Sequence, residues 1–521
     1  MFMIGNVRIK TITKNRFAFF LAPFLSGIIL IFAFPPFEQG YLSWIALLPL
    51  LWSCLQMRPS RAFWGGFIFG LPLNFYINLY LAKVLYPYLS DFLATLAMIL
   101  LVIYISLFYA LFSLGVSLIY RMGRVWFTAL AVPALWILVE YLRSLTFLAY
   151  NVGYLGYTQW SYSGLLNIAS VYGYWGLPFL IVFFQIILLL SFRKELRGLS
   201  DYAVKFVFTA ILLVGIALPT FQEVEKTEQP LMVGLIQGNT HPDEIVDYSR
   251  DEILDRYLNL TRQAVENEPD LDLVAWPETV VQVNFIENRS HPQAIVQMAE
   301  DYDIDLLYGA RIRMEGDLYN SIVLFSEGQE EIPVYKKHRL VPFVEFFPAE
   351  QLLNQILKLD LLLGSFTAGE ELTIFEVGDI PIAGVVCFES YFGDHMRLFT
   401  QKGAQHQFIV TNDAWFGESI GLEQHAQASA IRAAETGTGV TQVANSGITI
   451  SFDYQGRELF RSGKNKQEIF TLPLDMARRE TIYTKAGDYF PAFWATFLLL
   501  TAPFIYFKTK PGRRPERETK H

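Results

Sequence analysis

The sequence predicts a membrane α-helical bundle of about eight spans joined to an α/β domain, on three observations. Hydrophobic residues make up 53% of the 521 residues and charged residues only 17%, against about 25% in an ordinary soluble protein. The apolar residues fall in long runs up to about Pro219 and again over Tyr489–Phe507, whereas Gln222 to about Arg479 has ordinary mixed polarity. Within that middle stretch, short β-rich runs alternate with amphipathic helical ones, the pattern of a sheet covered by helices. A mean hydropathy of +0.31 excludes a disordered chain and argues against a wholly soluble one. The net charge, 41 − 50 = −9, supplies no global basic field for nucleic acid. Two cysteines, Cys54 and Cys387, exclude a disulfide framework.

Crossing a bilayer takes about 20 residues of helix. The candidate spans, in order, are Phe17–Phe34, Tyr41–Leu55, Ala62–Ala82, Asp91–Ile119, Val125–Leu142, Val171–Phe192, Tyr202–Leu218 and Tyr489–Phe507, of which the second and seventh are short. The first lacks the small-residue cleavage site of a signal peptide and reads as an uncleaved helix. Basic residues mark every alternate connection: Arg8, Lys10, Lys14 and Arg16; then Arg58 and Arg61; Arg121 and Arg124; Arg193, Lys194 and Arg197; and finally the tail from Lys508 to Lys520. Lys83 and Arg143 are marginal exceptions. The cytoplasmic bias of such residues predicts cytoplasmic termini and an extracytoplasmic α/β domain. The expected organisation is 1–221 transmembrane helices, 222–480 globular domain, 481–507 a last span and 508–521 a basic tail touching anionic lipid.

In the globular part, Met232–Gln237, Leu273–Trp276, Ile304–Tyr308, Ser321–Phe325, Ile380–Phe388, Phe408–Thr411 and Thr441–Ala444 read as strands. Ile245–Glu266, Pro292–Tyr302, His395–Lys402 and Leu422–Glu435 read as helices. Functional groups on such sheets gather in loops past strand ends, and three strand ends here carry chemistry. Trp276-Pro277-Glu278-Thr279 sets a carboxylate behind apolar Leu273, Val274 and Ala275, where lost solvation raises its pKa toward that of a useful base; a turn or capping glutamate fits the same segment. Tyr335-Lys336-Lys337-His338-Arg339 fits a solvated face or a lipid-binding patch, but Leu340, Val341, Pro342 and Phe343 beside it suggest burial, where a lysine can offset an oxyanion. Cys387 ends an apolar strand, the setting of a core cysteine. In an oxidising compartment, with Cys54 inside a span, a retained free thiol favours a reactive role.

Glu278, Lys337 and Cys387, each in its own context, resemble the Glu-Lys-Cys triad of the nitrilase superfamily. With the spans on either side, nearly the whole chain resembles that superfamily's membrane-bound branch, the apolipoprotein N-acyltransferase family. Phe34-Pro35-Pro36, Trp136, Glu140, Arg143 and Gly156-Tyr157-Thr158-Gln159 are similar to the family's membrane part. Ile236-Gln237-Gly238-Asn239, Thr411 through Gly417 and Asn445-Ser446-Gly447 are similar to its outer domain. Lys336 competes with Lys337, but counting from Tyr335 and from Leu340-Val341-Pro342 selects Lys337. Departures are Val344 in place of a usual glycine, Phe388 in place of a tyrosine, and no tryptophan soon after Asn239.

The resemblance implies an αββα sandwich in a bacterial inner-membrane protein, with the catalytic domain periplasmic. It implies an acyl transfer from a glycerophospholipid, through a Cys387 thioester, to the α-amino group of a diacylated apolipoprotein. Glu278 is then the base, Lys337 the oxyanion stabiliser, and Glu345 and Glu389 supporting groups. Phe388, Trp415 and Asn412 are placed against substrate. No cofactor or metal is implied, and the partners are membrane lipids and lipoproteins, with the chain a monomer. The rival expectation is a tethered nitrilase-type amidase releasing acyl groups to water. Within the 346–370 arm, the apolar stretch Leu352–Leu363 reads as an interfacial lid or as a helix packed on the domain's own core. Glu140 and Arg143, three apart on a helix, are expected to pair.

Overall fold

Long apolar helices and a two-sheet α/β unit make up the chain in a computed structural model, which describes residues 16–86, 90–146, 148–226, 229–240, 250–283, 292–329, 331–346 and 366–509. The Leu352–Leu363 stretch, the first three basic residues and the tail from Lys510 lie outside the described residues.

Among the described residues, Asp91–Arg121, Val125–Leu145, Leu199–Phe221 and Tyr489–Lys508 are long and apolar enough to cross a membrane. Ser163–Tyr172 and Gly176–Phe192 make a fifth if the bent pair is one span. By length and apolarity the described residues thus give 4 candidate spans, or 5 with the bent pair, against the eight expected, and the other expected spans differ for local reasons. Phe17–Phe34 becomes the helix Arg16–Ile31 of 16 residues, about 24 Å long at ~1.5 Å per residue, against a hydrocarbon thickness of about 30 Å. Tyr41–Leu55 breaks at Leu47 into Ser43–Ala46 and Leu48–Gln56, where Gln185 Oε1 accepts from the Leu47 N–H. Ala62–Ala82 has the length, as Pro59–Asn78, but Arg61, Asn74, Asn78 and its glycines dilute the apolar run. Those glycines serve packing: a Cβ at Gly70 would lie 2.9 Å from the Ser106 backbone, so the helix presses close to Asp91–Arg121. Val171–Phe192 turns through 108° at Gly173, whose φ of 66° is left-handed. Glu140 and Arg143 take partners other than each other. Glu140 accepts from the Leu155 N–H at 3.1 Å, whereas Arg143 donates to the Val152 carbonyl and lies over the Tyr154 ring.

The strands in chain order are β1 (Val224–Glu225), β2 (Leu231–Gln237), β3 (Leu273–Ala275), β4 (Val281–Val283), β5 (Asp305–Met314), β6 (Asp317–Phe325) and β7 (Val334–Lys336). There follow β8 (Ile374–Val377), β9 (Ile380–Val386), β10 (His406–Thr411), β11 (Gly439–Ala444), β12 (Ile450–Phe452), β13 (Glu458–Arg461), β14 (Glu468–Leu474) and β15 (Arg478–Arg479). One sheet runs β14-β2-β3-β5-β6-β7, with β4 beside β5; the other runs β13-β12-β11-β10-β9-β8. The sheets face each other, β2 against β11 and β6 against β9. Helices Arg250–Asn267 and Gln293–Tyr302 pack beside the first sheet, and Gly421–Thr436 packs on the second. The predicted strands and helices all appear among these elements, longer by a few residues at β5 and β6, with the start of the predicted Ile245–Glu266 helix outside the described residues. Strands β3 and β5 run parallel, as do β9, β10 and β11, so their carboxyl ends gather in one place.

Candidate active site

Strand β3 brings Glu278 to the gap between the sheets. Trp276 N–H bonds to the Leu307 carbonyl, and Gly309 N–H to the Pro277 carbonyl, tying the loop to β5. Thr279 turns with a left-handed φ of 56°. The 9% exposed Glu278 carboxylate accepts from Asn320 Nδ2 at 2.7 Å and from the Asn412 N–H at 2.9 Å. Burial raises its pKa; Lys337 opposes this and Glu345 adds to it.

Lys337 follows β7 directly, its N–H bonded to the Asn320 carbonyl of β6. Its ammonium is buried, 2.9 Å from Glu345 Oε1 and 3.9 Å from Glu278 Oε1. Burial alone would lower the lysine's pKa, but Glu345 and then Glu278 outweigh it and raise it, so the ammonium stays charged. Glu345 is fixed in turn by Asn320 Nδ2 at 2.9 Å and the Val341 N–H at 2.8 Å.

Cys387 arrives from the other sheet. β9 ends at Val386, and Cys387 opens a 3₁₀ turn with a left-handed φ of 49°. The thiol is partly buried at the mouth of the gap. Burial, aided by Glu278, pushes its pKa well above the ordinary thiol value, with Lys337 pulling the other way. At rest it is a protonated thiol that needs a base beside it. Glu389 binds the whole corner: its carboxylate accepts from the Val386, His338 and Arg339 N–H groups at 2.9, 2.7 and 3.0 Å and from the Tyr335 hydroxyl at 2.8 Å.

Glu278, Lys337 and Cys387 are thus brought together, with Glu345 and Glu389 holding the lysine loop and the nucleophile turn. Asn412 supports Glu278 through its backbone, while its side chain accepts from Ala414 N–H and Asn445 Nδ2. Phe388 lines a cavity of about 410 Å³ with Leu340, Pro342, Phe346, Phe366 and Phe392, closed by Leu148 and Ala149 from the membrane part and edged by His338 and Arg339. Trp415 is on the turn after β10, partly buried and outside that lining. Sequence reasoning did not single out Asn320 or His425, and it held Asp413 only as part of the Thr411 through Gly417 stretch. The sulfur of Cys387, a carboxylate oxygen of Asp413 and a ring nitrogen of His425 lie within 4.8 Å of one another, a trio that could hold a thiophilic cation. Both nitrogens of His425 already face hydrogen-bond partners.

A base, a fixed cation and a thiol in this order can deprotonate sulfur, neutralise an oxyanion and form an acyl thioester. Residues 26–187 match the family described as apolipoprotein N-acyltransferase N-terminal domain, and residues 232–483 match carbon-nitrogen hydrolase. Over 488 residues, 91% of this chain and 92% of the relative, it is 30% identical to apolipoprotein N-acyltransferase of Geobacter metallireducens. The chain belongs to the apolipoprotein N-acyltransferase family. It is also 27% identical to the apolipoprotein N-acyltransferase of Chlorobaculum tepidum, across 91% of this chain and 93% of that one. Among solved structures, yeast Nit3 of the nitrilase superfamily matches at 17% identity and a TM-score of 0.38, covering 56% of this chain and 100% of that one. Membership of the apolipoprotein N-acyltransferase family makes the protein an N-acyltransferase with a carbon-nitrogen hydrolase fold, acting on lipoproteins.

Proposed function

We propose that the chain moves an acyl chain from a glycerophospholipid to the α-amino group of the diacylglyceryl-cysteine of an apolipoprotein, through a thioester on Cys387. The observation that carries this is the Cys387 thiol within the electrostatic reach of the paired Glu278 carboxylate and Lys337 ammonium, its neighbour Phe388 lining an apolar cavity built from both parts of the molecule. Glu278 takes the thiol proton as sulfur attacks the ester carbonyl, and Lys337 faces the oxyanion. Collapse expels the lysophospholipid alkoxide, which takes the proton from Glu278. The lipoprotein amine then attacks the thioester and gives its proton to Glu278, and the departing Cys387 thiolate recovers it. Phe388 and its neighbours hold the fatty chain. The alternation of basic and non-basic connections supports cytoplasmic termini, an inner-membrane chain and a periplasmic 222–480 catalytic unit, with 508–521 a lipid-facing tail. The family resemblance implies that the chain acts as a monomer.

The test is incubation of detergent-purified protein with acyl-labelled phospholipid and a diacylated lipopeptide bearing a free amino terminus. Labelled amide is expected, lost in Cys387→Ala and kept in Cys54→Ala. Labelled free fatty acid in its place assigns the chain to the amidase reading, and amide formed by Cys387→Ala refutes the mechanism.

A further inference from the structure

A left-handed φ at a residue other than glycine persists only where its surroundings hold it, and Cys387 has one. Its carbonyl oxygen lies 3.2 Å from His425 Nε2, which also lies 3.0 Å from the Ser390 hydroxyl. The other ring nitrogen, Nδ1, lies 3.0 and 3.2 Å from the two oxygens of Asp413. A carbonyl only accepts, so in the contact with Cys387 the ring nitrogen Nε2 is the donor. The His425 ring is thus held from both nitrogens, with the Tyr391 ring stacked on it at 14° and 5.5 Å. Asp413 is fully buried and takes a third hydrogen bond, from the Thr411 hydroxyl at 2.8 Å. The backbone of the nucleophile thus leads through His425 to a buried carboxylate that is itself held from a second side.

Resting on the acyl-transfer reading above, we propose that His425 and Asp413 are positioning residues: their pair grips the Cys387 carbonyl and holds the nucleophile in the backbone conformation that aims its sulfur between Glu278 and Lys337. Neither residue exchanges a proton with substrate. Since the pair sets where sulfur stands and contributes nothing to lipid binding, its loss acts on kcat and leaves KM for the phospholipid alone. Glutamine can present an amide N–H where Nε2 stands, and so can replace the grip in part.

The experiment is single-turnover acylation of the full-length, detergent-purified protein by a glycerophospholipid with a radiolabelled acyl chain, in wild type, His425→Ala, His425→Gln, Asp413→Asn and Cys387→Ala. In His425→Ala the limiting acylation rate is expected to fall on the order of 100-fold, with the half-saturating phospholipid concentration unchanged and most of the rate restored in His425→Gln. Asp413→Asn, which keeps the shape, is expected to lose rate in the same way. Wild-type rates in His425→Ala or Asp413→Asn overturn the proposal, as does a His425→Gln variant no faster than His425→Ala. Label on Cys387→Ala would instead refute the acyl-enzyme reading itself.

Discussion

At Glu278, burial and charge pull in opposite directions. The carboxylate lies in a site that disfavours its ionised form, and Lys337 with two N–H donors brings that form back within reach. As a base it works only when ionised, so the acylation rate falls as pH drops through a pKa raised above 4.5. Asn320 bears on this directly, because its one amide nitrogen donates to both Glu278 and Glu345. In Asn320→Ala the Glu278 carboxylate loses a bond that favours its charged form. The acid limb of the rate–pH profile is expected to move to higher pH, and a limb that stays or moves down contradicts the role given to Glu278. Lys337 shows why the set is kept whole: removing one partner of a buried pair leaves uncompensated charge, at a cost of about 3–5 kcal/mol.

At the level of elements, the strand behind the base is as constrained as the base itself. Gly309 of β5 runs so close to the Glu278 loop that a Cβ would meet the Pro277 carbonyl and lie 2.6 Å from Glu278 Cα. Gly309→Ala is expected to displace the loop, lowering kcat on the order of 100-fold and stability by about 1–3 kcal/mol, read by N-acylation and by melting in detergent. Gly164→Ala, with open space around it, should change neither. Strands β3 and β9, which lead to Glu278 and Cys387, were legible because each is a buried apolar run. Others were not: β13 reads Glu-Leu-Phe-Arg, β14 contains Pro473, and β4 and β7 are three residues long. These are edge or short strands whose pairing decides them. His425 escaped notice for the opposite reason. Its helix, Gly421–Thr436, is buried along its whole length, so no single face marks a site. Hydropathy alone registers neither the 108° turn at Gly173 nor the break at Leu47, so the expected span bounds do not coincide with the helices.

Across the whole molecule, the two parts are joined by buried polar contacts and not by chain connection alone. The Tyr174 backbone N–H donates to Glu435 on helix Gly421–Thr436 at 2.6 Å, and its hydroxyl donates to Glu140 of Val125–Leu145 at 3.1 Å. Glu435 also pairs with Arg432 at 3.1 Å, and burial raises its pKa to about 7. Trp175 adds a bond to Asp488 beside the last apolar helix. Large apolar side chains such as Leu199, Phe206 and Leu499 point outward from the bundle, as a lipid-facing surface requires. The cavity beside Cys387 sits where these parts meet, with Leu148 and Ala149 on one side and Phe388 on the other. Phe388, next in the chain to Cys387, thus brings an apolar surface shared by both parts close to the nucleophile's turn. The measurement that tests this most directly is peptide mass spectrometry of the full-length protein after incubation with phospholipid and no acceptor. The account predicts one acyl group on the Cys387 peptide, released by hydroxylamine and discharged as amide when diacylated lipopeptide is added. An unmodified Cys387 peptide under conditions where lipopeptide is still acylated, or acyl found on another residue, would contradict it.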